Sequence, residues 1–67
     1  MIYHILLSKD KFSKQQLFKF IRLNNVQPLR ITRINNEYNI KVNNIDKKDK
    51  QKLKTIMILG CIKLKYL

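Results

Sequence analysis

The chemistry open to this sequence is that of positive charge. Lys47, Lys48, Lys50, Lys52 and Lys54 crowd one short segment, while Arg30, Lys41, Lys63 and Lys65 recur at alternate positions of branched, strand-like runs. Ammonium and guanidinium groups at this density neutralise phosphates and release the counterions condensed on a nucleic acid. Acid–base and metal chemistry find no comparable cluster. One His (His4), one Cys (Cys61), two Ser and four scattered acids make no carboxylate pair, metal-ligand spacing or nucleophilic triad. The expectation is a non-enzymatic binding protein with no cofactor and no metal. His4 among cations is the one group that could cleave RNA, but a lone histidine on a strand is far more often structural.

Charge and size bound the class. Fifteen Lys/Arg against four Asp/Glu leave +11 on 67 residues, so a domain already short of buried area must also tolerate self-repulsion. Ile, Lys and Asn make up 29 of the 67 residues, and alanine is absent. That composition points to an AT-rich genome such as that of a low-GC bacterium, its phage or an organelle. Codon bias of this kind enriches lysine and asparagine, but it does not remove acids. An anionic partner is therefore expected. Cys61 has no internal partner for a disulfide, and neither a leader pattern nor an apolar stretch long enough to span a bilayer is present. The expected location is the cytoplasm, with no transmembrane segment.

Six elements follow from periodicity and caps. Ile2 to Leu7 is apolar and of strand length, with Tyr3, Ile5 and Leu7 on one face. Phe12-Ser13-Lys14-Gln15-Gln16-Leu17 carries a capping box at Ser13 and Gln16 and an apolar staple of Phe12 with Leu17, so a helix starts here. Asn24-Asn25 suits its end, since asparagine tolerates the left-handed conformation, and Pro28 prevents continuation. Leu29 to Ile34 and Glu37 to Val42, joined by Asn35-Asn36, read as a hairpin. Asp46 and Asp49 suggest the start of a second helix, with Leu53, Ile56, Met57 and Gly60 on one side and Gly60 at its end. Cys61 to Leu67 alternates as a last strand, with Ile62, Leu64 and Tyr66 inward.

The order strand, helix, strand, strand, helix, strand predicts an α+β fold: the ferredoxin-like split βαβ sandwich (βαββαβ), one domain over residues 1–67, with both helices on one face of a four-stranded antiparallel sheet. The other face would be open and would carry His4, Leu6, Arg30, Thr32, Asn39, Lys41, Lys63 and Lys65. RNA-recognition modules use such a face, stacking bases on aromatics and meeting phosphates with cations. Here the three tyrosines fall on the inward pattern, and only His4 could stack.

On the second predicted helix, Lys47, Lys50 and Lys54 would cluster within about 60°. Cations in a first turn oppose the helix dipole, and an anion would offset that cost. If both clusters neutralise ~6 phosphates, log affinity falls with log salt at a slope near ~5, with weak sequence preference. The partner is expected to be nucleic acid, RNA ahead of DNA, or an acidic protein, the chain then being a protein-interaction module such as an inhibitor encoded by a mobile element. In the second case Phe18 and Leu23, on the wide apolar arc of the first helix, would lie in the interface, and a second copy of the chain could equally cover them as a homodimer.

The succession Asn24-Asn25-Val26, Leu29-Arg30-Ile31, a hairpin, Lys52-Leu53-Lys54 and Cys61 opening Ile62-Lys63-Leu64-Lys65-Tyr66 resembles the N-terminal segment of the YqfD family of sporulation-associated membrane proteins. The likeness runs over nearly the whole chain. It implies a soluble piece that precedes a membrane helix, and it carries over no catalytic residue. In that family the position of Asn25 is usually glycine and an aromatic often stands near Leu29.

Overall fold

The sheet, rather than the helices, organises the chain. A computed structural model describes all residues, 1–67, and contains strands β1 (Ile2–Ser8), β2 (Arg30–Ile34), β3 (Glu37–Lys41), β4 (Lys54–Ile58) and β5 (Ile62–Tyr66). One α-helix, α1 (Lys14–Leu23), and one 3-10 helix (Lys47–Lys52) complete it. The strands form a single antiparallel sheet in the order β2-β3-β1-β5-β4.

Local chemistry explains α1. The Ser13 hydroxyl accepts from the Gln16 backbone N–H at 3.2 Å, and the Gln16 side chain accepts from the Ser13 N–H at 2.8 Å, which satisfies two otherwise orphaned donors. At the far end Asn25 takes φ 51°, the Val26 N–H reaches the Ile21 carbonyl and the Asn25 N–H reaches the Arg22 carbonyl. This Schellman arrangement closes the helix one residue beyond its cap, Asn24.

The predicted second helix does not form, and the ferredoxin-like βαββαβ sandwich is thereby overturned. Lys47–Lys52 makes a short 3-10 helix with no buried residue and no side-chain bond from Asp46. The segment KKDKQK has no apolar side to dock, so nothing repays the opposition of its lysines to a helix dipole. Lys54–Ile58 instead pairs with β5, and Thr55, Ile56 and Ile58 are β-branched residues that suit a strand. The hairpin turns through Leu59 and Gly60, both at positive φ (57° and 72°), so the glycine read as a helix stop belongs to a strand turn. The result is five strands instead of four, with a single α-helix on the sheet.

Register defines the two faces. Ile31, Ile40, Ile5, Leu64 and Ile56 form one row across the five strands, and Arg33, Tyr38, Leu7, Ile62 and Ile58 form a second row on the same side. Leu17 of α1 completes a buried cluster with Ile5, Leu7, Tyr38 and Ile40, and Phe12, Phe20, Ile21 and Val26 pack around it. Phe12 and Phe20 meet edge to face at 6.1 Å. Because α1 descends from the end of β1 to the start of β2, it covers the β2-β3-β1 half of this side. Ile62 and Leu64 of β5 still pack against this cluster, but β4 lies beyond it, and Ile56 and Ile58 remain 48% and 39% exposed.

Candidate functional site: a basic sheet face

The side of the sheet opposite α1 gathers cations by register alone. Arg30 pairs with Lys41, Lys41 with His4, His4 with Lys65 and Lys65 with Thr55, so four basic side chains occupy one row on adjacent strands. At a strand spacing of ~4.8 Å the row from Arg30 to Lys65 is roughly 14 Å long. The next row runs Thr32, Asn39, Leu6, Lys63 and Met57, and beyond it stand Ile34, Glu37 and Ser8. A groove of about 320 Å³ opens on this face between His4, Arg30, Thr32, Ile34, Asn39 and Lys41.

Two contacts order the face. The His4 ring nitrogen Nδ1 lies 3.0 Å from Asn39 Oδ1, which holds the imidazole by its neighbour in the adjoining strand. Lys63 Nζ lies 3.2 Å from Glu37 Oε2, with both side chains about one-third exposed. Lys63 pairs with Leu6 and Glu37 with Ser8, so this ion pair reaches from β5 to β3 over β1. Leu6 shares the row of Lys63 and is only 8% exposed, whereas the other apolar residues of this side, Ile34 and Met57, are 54% and 57% exposed. Long cationic stems that lie along an apolar floor with their heads in water account for this burial.

The row of like charges is costly to the isolated fold. Arg30 directly faces Lys41, and like charges opposed across antiparallel strands destabilise a sheet. Glu37 is the one acid on this face, so the cations Arg30, Lys41, Lys63 and Lys65 keep an excess that Glu37 reduces by a single charge.

The other sequence-derived residues are placed differently. Lys47 and Lys50 sit on the 3-10 helix, exposed, and the adjacent Lys52 is paired with Asp49 at 3.7 Å. Lys54 is no helical neighbour of theirs: it opens β4, pairs with Tyr66 and shares the side of Ile56, opposite the basic row. The expected triad of Lys47, Lys50 and Lys54 is thus dispersed because the helix that would have aligned it is absent. Phe18 and Leu23 are 52% and 67% exposed, but they do not form one patch. Phe18 borders a groove with Lys14, Ile31 and Arg33 near β2, whereas Leu23 borders another with Phe12, Lys19 and Phe20.

Glu37 and the fastening role of Asn39 were missed in the sequence. Both alternate with Tyr38 and Ile40, so their side of the strand was legible, but the diagonal between Glu37 and Lys63 depends on pairing through β1. No helix is long and apolar enough to cross a membrane, and no three His, Cys, Asp or Glu side chains come together as a metal site. No family model matches the chain, and no curated protein or solved structure resembles it.

Proposed function

We propose that this protein is a non-enzymatic nucleic-acid-binding module that lays a single strand, RNA ahead of DNA, along the sheet face opposite α1. The observation that carries this reading is the cross-strand row Arg30, Lys41, His4, Lys65, with Lys63 in the next row. An anionic backbone along that row relieves the repulsion that the fold otherwise bears, and an open sheet accommodates an extended strand better than a duplex. His4 is the only ring on the face able to stack on a base, so binding follows the backbone and reads little sequence. The lysines of the 3-10 helix act at a distance as general positive charge.

Titration of labelled single-stranded RNA at two salt concentrations tests the proposal, alongside the double variant Lys63→Glu/Lys65→Glu. Tight binding at ~50 mM salt that weakens steeply with added salt, and is lost in the folded variant, is the expected result. Absence of binding at low salt, or unchanged binding by the variant, removes it. A second reading, docking of an acidic protein, draws on the exposure of Phe18 and Leu23. It predicts that Phe18→Ser abolishes partner binding while RNA affinity stays at the wild-type level.

A further inference from the structure

We propose that two copies of this chain pair through β4, edge to edge and antiparallel about Ile56, to make one ten-stranded sheet. β4 has the residues of an interior strand at the position of an edge. Ile56 and Ile58 lie on one side of it and Met57 on the other, all exposed, and strands apolar on both sides are normally covered on both. The opposite edge is guarded: β2 carries Arg30 and Arg33, and Pro28 precedes it. On β4 the sole charge is Lys54, at its first residue.

The strand is complementary to itself. With Ile56 opposite its own copy, Thr55 faces Met57, Lys54 faces Ile58, and all five residues are paired. The two Lys54 side chains then stand at opposite ends, about 14 Å apart along the strand direction. Neighbouring registers pair fewer residues. A dyad perpendicular to the sheet keeps equivalent sides together, so the Ile56 side chains of the two copies meet side by side on the α1 side and each Ile58 lies beside the other copy's Lys54. The two basic rows fall on the same side and form one longer platform. This pairing is independent of nucleic acid and uses β4, not the Phe18 and Leu23 surface of α1.

A five-residue edge spans ~17 Å and buries less than the ~800 Å² per partner of a standard interface, so the dimer should be concentration-dependent. Sedimentation without nucleic acid, from about 10 µM to about 1 mM protein at ~0.3 M salt to screen the charge, should show monomer passing to dimer. Ile56→Lys, at an exposed position, should remain folded by circular dichroism and stay monomeric throughout. In a Cys61→Ser background, Ile56→Cys should form an intermolecular disulfide under mild oxidation, because directly opposed residues are within bridging distance. Ile58→Cys, which faces Lys54 of the other copy, should cross-link at least ~10-fold more slowly, since it lies two residues off the dyad. A wild type monomeric at every concentration, or Ile58→Cys cross-linking as fast as Ile56→Cys, overturns the pairing.

Discussion

Lys63 on β5 and Glu37 on β3 meet at 3.2 Å over the intervening strand β1. The contact ties the two halves of the basic face together and cancels one of its charges. Pairs exposed to this degree contribute about 0–1 kcal/mol to stability, so the consequence for binding outweighs that for folding. Glu37→Gln should therefore leave the melting temperature within a few degrees, raise RNA affinity at low salt, and steepen the salt dependence as Lys63 becomes free to meet a phosphate. Anisotropy titrations at several salt concentrations measure both changes, and an affinity below that of wild type would contradict the assignment of Lys63.

The dispersal of the second lysine cluster alters the expected salt dependence. The three cations of the sheet face that are free of Glu37, namely Arg30, Lys41 and Lys65, correspond to a slope of about −2 for a single strand, at ~0.7 per phosphate, rather than the ~5 expected from two cooperating clusters. Removing Lys47 and Lys50 together, as glutamine, should lower affinity without much change in slope. Removing Arg30 and Lys65 should reduce the slope by roughly 1.4. Equal effects of the two double variants on the slope would place the binding surface elsewhere.

The core is small enough for one truncation to unfold it. Ile40 and Leu7 are fully buried, and only six residues of the chain are buried at all. Ile40→Ala should cost about 2–5 kcal/mol, comparable with the ~3–5 kcal/mol that a core of this size supplies. Far-ultraviolet circular dichroism at 25 °C should show a largely unfolded chain, whereas a cooperative melt close to that of wild type would mean that the sheet is held by something other than this cluster.

The β4-β5 turn contains avoidable strain. Leu59 adopts φ 57° and is 88% exposed, so its side chain gains little from contact while its backbone occupies a region unfavourable to a leucine. Leu59→Asn should stabilise the fold by about 1 kcal/mol, raising the melting temperature by ~4–8 °C. A lower melting temperature would show that Leu59 has a packing partner, and a second copy of the chain would be the first candidate.

Those expectations separate what is local in this protein from what is not. The capping box at Ser13 and Gln16, the left-handed Asn25, the Asn35-Asn36 turn and the alternation of β3 are encoded by near neighbours, and each is present in the fold. Alternation also assigned Arg30, Lys41, His4, Lys63 and Lys65 to a common side, since a strand's side chains point in turn to opposite faces whatever it pairs with. Residues 46–60 were ambiguous. Leu53, Ile56, Met57 and Gly60 fit a helical period and Thr55-Ile56-Met57-Ile58 fits a strand, and short apolar runs do not distinguish the two. The free edge of β5 settled the choice, because its unpaired backbone groups gain partners from β4, whereas a lysine-rich helix had no apolar side to dock. Lys54 became the first residue of a strand as a result, instead of a helical neighbour of Lys47 and Lys50. Pairing through β1 likewise brought Glu37 to Lys63, residues 26 positions apart in sequence, because register is a property of two strands together and neither carries it alone.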